Sequence, residues 1–167
     1  MSTPTNIPFK LQDEIHKARI ASRNAPTINI DELLRVATNG QPQYLEGKTI
    51  ETISKTVYDT LVYRVPNTHL QPIYEKLMGF RFVDEVYLLH RGKYVRWIRN
   101  DSLPPKLEIG GIVVDIKITD CGVNVLCKLG ARFTQYKFNE CLTYQKLSQD
   151  EMLLLAAYTA VQTSTQK

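Results

Sequence analysis

Gly92-Lys93-Tyr94-Val95-Arg96-Trp97-Ile98 is the stretch at which the chain changes its period. Before it, apolar residues recur at helical spacing. Within it they alternate with polar residues and are aromatic or β-branched, as in strands. The strand pattern continues downstream. Residues 101–106, with Pro104-Pro105, read as a loop. Residues 109–119 read as a strand with Ile112, Val114, Ile116 and Ile118 on one face and Asp115 and Lys117 opposite. Asp120-Cys121-Gly122 is a turn, so residues 123–128 should return as a hairpin partner. Gly130-Ala131 turns again into residues 133–138, where Phe133, Gln135 and Lys137 oppose Thr134, Tyr136 and Phe138. Four short strands, tight turns and a Gly-Gly bend at Gly110-Gly111 suit a small, strongly bent antiparallel barrel of SH3-like or Tudor-like form.

Upstream, the first half reads as helices. A weakly amphipathic helix is expected within residues 8–23, broken by Asn24-Ala25-Pro26, and a short helix follows within residues 29–36. The clearest helix has Thr49 as N-cap and Ile50, Ile53, Val57 and Leu61 at helical spacing, with Pro66 ending it. Thr68 is placed to cap another, carrying Leu70, Ile73, Tyr74 and Leu77, with Gly79 closing it. A last short element holds Val83, Val86, Tyr87 and Leu89. At the other end, Ser148 and Glu151 form a capping box for a helix with Met152, Leu155, Ala156 and Tyr158. The expected class is therefore α+β. Residues 1–90 form a helical N-terminal lobe, 91–147 a small β-barrel, 148–161 a C-terminal helix packed on the barrel, and 162–167 a frayed tail.

Composition narrows the function classes. The chain has 167 residues, 43% hydrophobic and 23% charged, which excludes wholesale disorder. No apolar run approaches the ~20 residues of a membrane span, and the start MSTPTNIPFK lacks a signal-peptide core, so an intracellular protein is expected. Cys121, Cys127 and Cys141 are an odd number and do not read as a disulfide framework. The net charge of +4 is uneven: Lys and Arg outnumber Asp and Glu ten to five between Arg91 and Lys146 and balance them upstream. A basic segment of this kind suits an acidic partner, whether nucleic acid or an acidic protein face, although ordinary solvated surfaces carry such excesses too.

No catalytic set stands out. Gly47-Lys48-Thr49 before a helix looks like the end of a phosphate-binding loop. The glycine needed five positions earlier is Pro42, however, and no apolar strand precedes it. The cysteines lack the paired C-x-x-C knuckles that present two thiolates to one zinc, and His16, His69 and His90 supply no second pair. Small buried apolar residues are the better reading, with no metal and no cofactor. The acid pairs Asp13-Glu14, Asp31-Glu32, Asp84-Glu85 and Asp150-Glu151 fall mostly near helix starts, where they meet the helix dipole. His90 is the histidine near the charged junction, and a lone histidine is more often structural or solvated than functional. An enzyme is not expected.

The suggestive residues are basic groups among rings: Arg91, Lys93, Tyr94, Arg96 and Arg99, joined by Lys128, Arg132 and Lys137 from the later strands. Cations for phosphates beside rings for base stacking are what single-stranded nucleic acid binding uses. Equally, Trp97 can be the main core ring, leaving the cations as rim charges, and this reading is favoured. Tyr94, Phe133 and Tyr136 would form an aromatic cage only if they converged.

Taken as a set, Gly92 to Ile98, Gly110-Gly111-Ile112-Val113, Cys127-Lys128 and Tyr144-Gln145-Lys146-Leu147-Ser148 resemble uncharacterised proteins encoded by nucleocytoplasmic large DNA viruses. Those proteins carry a G-x-Y-[IV]-R-W-I strand that leads to a GG strand and an FQKL-type helix start. The resemblance covers residues 79–158, with Tyr144 standing where that pattern has Phe. It implies a viral origin, with the protein in the host cytoplasm or nucleus or in the virion, as a virion component or a factor acting on viral nucleic acid. It attaches no catalytic residues. The expectation is a non-enzymatic interaction or structural protein held by protein partners in a larger assembly, with no membrane association. The alternative is a sequence-tolerant DNA- or RNA-binding module that uses the basic rim.

Overall fold

The computed structural model describes residues 43–165. The helices expected within residues 8–23 and 29–36, together with His16 and the two acid pairs there, lie outside the described residues. The chain divides into two compact units. One is Glu51–Leu147, and the other takes in the described residues on either side, 43–50 and 148–165.

In the first unit, Ile50–Val62 form helix α1 and Asn67–Lys76 helix α2. Helix α1 buries Ile53, Val57 and Leu61, the three- and four-residue spacing read from sequence. Its successor starts two residues earlier than a Thr68 cap would allow: Pro66 is the N-cap, and its carbonyl accepts from the N–H groups of His69 and Leu70. Six strands follow in sequence: β1 Phe80–Val83, β2 Tyr94–Arg99, β3 Gly111–Thr119, β4 Gly122–Leu129, β5 Arg132–Lys137 and β6 Cys141–Lys146.

All strand pairs are antiparallel, in the order β1-β6-β2-β3-β4-β5. The closed barrel is therefore corrected to an open sheet, since among the described residues β1 pairs only with β6 and β5 only with β4. Two strands beyond the four read from sequence cause the change. Strand β1 comes from the stretch assigned to the helical lobe, so no boundary at residue 90 separates helix from sheet. Strand β6 inserts between β1 and β2, with Phe82 opposite Tyr144 and Trp97 opposite Thr143.

The sheet is sharply curled all the same. Trp97 on β2 and Tyr136 on β5 stack at 4.2 Å between ring centroids. In a flat sheet, three strand spacings would hold those strands about 14 Å apart. Two devices make the bend. Gly110 has φ +86° and lies so close to β2 that a Cβ there would sit 1.9 Å from the Val95 carbonyl oxygen. A β-bulge between Val113 and Asp115 shifts the register of β3 against β4. The β3-β4-β5 half thus folds over the β1-β6-β2 half.

The result is layered. Between the halves lies one core of Val83, Val95, Trp97, Val113, Val125 and Tyr136. On the other side of β1-β6-β2 a second core packs Val57, Leu61, Leu70, Ile73 and Leu77 of the helical region against Phe80, Ile98 and Tyr144. No residue of β3, β4 or β5 belongs to that helix-covered core.

In the other unit, Gln149–Thr165 form helix α3, which runs four residues past the expected end at 161 and takes in part of the tail expected to fray. The capping box is present: the Ser148 N–H donates to Glu151 Oε2 at 2.6 Å, and the Glu151 N–H to Ser148 Oγ at 3.2 Å. The Tyr44 hydroxyl donates to the other Glu151 oxygen, fixing the turn Gln43–Leu45 to this helix start. None of the described helices is long and apolar enough to cross a membrane.

Candidate interaction surface

The basic and aromatic residues singled out by sequence separate into two groups. Tyr94, Arg96 and Arg91 act on the fold itself. The Tyr94 hydroxyl donates to the Ile109 carbonyl at 2.5 Å, and its ring meets Phe80 edge-on. Arg96 Nε donates to the Glu108 carbonyl at 2.9 Å, and partial burial lowers the pKa of its guanidinium. Together they hold the connection at residues 107–109 along β2, where Glu108 N–H also donates to the Trp97 carbonyl. Arg91 forms a 2.7 Å ion pair with Asp115 of β3. Lys93 lies half-buried at the start of β2, its carbonyl accepting from Val113.

Arg99 is exposed at the far end of β2 and borders two open hollows. One, of about 240 Å³, is lined by Tyr63, Arg64, Leu103 and Leu142 among others. The second, of about 270 Å³, has Asp101, Tyr136, Lys137, Glu140 and Cys141 in its wall, so its cations and carboxylates balance.

Lys128 and Lys137 lie on the outer side of the β3-β4-β5 half, whereas Arg132, opposite Leu129, is on the side of β5 that carries Tyr136. Register places Ile112, Lys128 and Phe133 in one cross-strand row. The next row holds Asp115, Leu126 and Gln135, and a third Lys117, Asn124 and Lys137. Val114 is the extra residue of the bulge beside the second row. Ile112, Val114 and Phe133 are 47%, 42% and 59% exposed. Lys128 Nζ lies 5.5 Å from the Phe133 ring centroid, a cation–π contact. Asp115 is the one acid in these rows, and Arg91 answers it; Lys137 holds Glu140 at 3.1 Å in an exposed pair.

Sequence reading missed Ile112 and Val114 here, having put them with Ile116 and Ile118 on one apolar face. The bulge divides that face. Val113 and Ile116 join the inner core, while Ile112 and Val114 turn outward, because one inserted residue exchanges the two sides of a strand. The run Ile112-Val113-Val114, apolar at consecutive positions, is the only trace of this in the sequence.

The aromatic cage does not assemble. Tyr94 packs toward the helix-covered core, Tyr136 stacks on Trp97 inside, and Phe133 stands outside. Trp97, at 2% exposure, is the core ring. Of the cysteines, Cys121 is exposed, and burial pushes the thiols of Cys127 and Cys141 up to about 12 and about 11. Both therefore stay protonated at neutral pH and are weak nucleophiles and metal ligands. Among the described residues no group of three or more His, Cys, Asp or Glu is arranged to hold a metal ion. Compared with protein-family models, with curated proteins and with solved structures, the chain matches none.

Proposed function

We propose that this chain is a non-enzymatic interaction protein that docks an acidic protein partner on the outer side of β3-β4-β5, within a larger assembly. The curled half-sheet serves as an SH3- or Tudor-like binding scaffold left open at its edge. A large-DNA-virus particle is the setting that the sequence resemblance suggests. The observation that carries the reading is the face, exposed among the described residues, on which Ile112, Val114 and Phe133 stand with Lys117 and Lys128. Apolar side chains grouped on one face gain by being covered, an exposed ring supplies an anchor, and flanking cations select an acidic partner.

The test replaces Phe133 by the photo-crosslinker benzoylphenylalanine in the full chain, with Tyr87, 74% exposed elsewhere, as control position. The expected result is an adduct to an acidic protein at position 133 that is lost with Lys128→Glu and absent at position 87. Equal adducts at both positions, or none at 133, overturn the reading.

A second reading, sequence-tolerant nucleic-acid binding, is favoured by one observation: an exposed ring, Phe133, with Lys128 over it and Lys117 two rows away. It requires anisotropy of labelled single-stranded DNA or RNA to show binding that weakens steeply with salt. Phe133→Ala and Lys128→Ala must then each weaken it. Salt-independent or absent binding rejects it.

A further inference from the structure

We propose that the open edge of β5 is itself a docking site, to which the partner adds an extended acidic segment as a seventh strand. The inference rests on the reading of the β3-β4-β5 half as a protein-binding surface, and names the partner's chemistry and mode of attachment.

Backbone accounting comes first. The β4–β5 hairpin turns through two residues, Gly130 and Ala131, with Leu129 opposite Arg132. A two-residue turn makes that flanking pair a hydrogen-bonded one, and bonding then alternates along an antiparallel ladder. Arg132, Thr134 and Tyr136 therefore spend their N–H and C=O groups on β4, while Phe133, Gln135 and Lys137 aim theirs away from it. Strand β5 pairs only with β4 among the described residues, and all of its residues except Tyr136 are exposed. An exposed row of this kind is a template for another strand.

Charge then chooses the occupant. Arg132 and Lys137 are the charged residues of β5, and Lys128 is the charged residue of β4. The nearest carboxylate shown to engage them is Glu140, in an exposed pair with Lys137 that a competing carboxylate can exchange at little cost. A second copy of this chain is a poor occupant, because two β5 edges side by side would bring only cations to the new ladder. An acidic strand meets Lys137 on the outer side at one end of the edge and Arg132 on the opposite side at the other. Its alternate side chains would extend the outer row in which Lys128 and Phe133 lie.

The probe is a short fluorescein-labelled peptide alternating Glu with Val, added to the full-length protein. Binding is expected together with slowed hydrogen exchange at the Phe133, Gln135 and Lys137 amides. Gln135→Pro removes one outward N–H without touching the β4 ladder, and proline is tolerated at such edge positions. It should weaken binding about tenfold or more, with Trp97 emission unchanged as the sign of an intact core. A peptide with Lys in place of Glu should not bind.

Absence of binding by the wild-type protein overturns the inference, as does equal binding of the Lys peptide. Full affinity in Gln135→Pro, or binding without amide protection, also overturns it. In those last cases, binding that still needs Lys128 leaves face docking standing, and crosslinking at position 133 reads that face independently.

Discussion

Trp97 shows what a single residue can and cannot declare. Being the sole tryptophan on an alternating strand beside arginines, it suits either a stacking platform or a core. Its stacking on Tyr136 from across the curl decides for the core. Trp97→Ala should cost about 3–5 kcal/mol, because it removes both the buried ring and its stacking partner's contact. Chemical denaturation followed by circular dichroism measures this, and a cost below 1 kcal/mol would contradict the packing described. Arg96 and Tyr94 teach the converse. Their type and position were visible, but their use was not, because their acceptors are the backbone carbonyls of Glu108 and Ile109, which sequence identity does not mark.

At the scale of elements, Gly110 is the most exposed to challenge. Gly110→Ala places a methyl against the Val95 carbonyl and forces alanine to φ +86°, so β2 and β3 must part where they pair. A loss of the order of 2–4 kcal/mol is expected, visible as a lowered thermal midpoint. Gly111→Ala would meet the Lys128 carbonyl at 2.9 Å and should behave similarly. The Gly-Gly pair was readable as a bend because only glycine fits so near another backbone. Strand β6 was not readable. Its Thr143 and Gln145 are polar yet fully buried, since it is an interior strand with covered faces. Thr143 Oγ1 donates to the Tyr136 hydroxyl at 3.2 Å, and Gln145 Oε1 accepts from the His90 N–H at 2.9 Å. Those partners come from other elements, His90 from 55 residues away, so a local window sees only a polar segment.

For the whole molecule, burial of ionisable groups sets an alkaline limit. The Cys127 thiol rises from 9.0 to about 12 and the Tyr144 hydroxyl from 10.0 to about 12, both through loss of hydration; Tyr136 is raised by the same cause. Each folded-state value lies above its unfolded one, so the neutral form is favoured by folding. The associated stability is complete below the unfolded values and is lost as pH rises through the folded ones. Thermal midpoints should be flat up to about pH 9 and fall between there and about pH 12, by the equivalent of a few kcal/mol. A midpoint constant to pH 12 would show these groups to be hydrated. The layer order itself governs where partners can bind. Helices α1 and α2 cover β1-β6-β2, while on the outer side of β3-β4-β5 Ile112, Val114 and Phe133 are exposed among the described residues. Periodicity and turn chemistry alone determined the helix at 50–62, the two hairpins and the capped C-terminal helix, because spacing, caps and glycines act within a few residues. Only the tertiary structure decided that the sheet stays open, that β1 and β6 join it, and which face of each strand is covered. Those outcomes depend on pairings between remote segments and on a one-residue bulge, and an alternating pattern cannot distinguish a face met by a helix from one met by water.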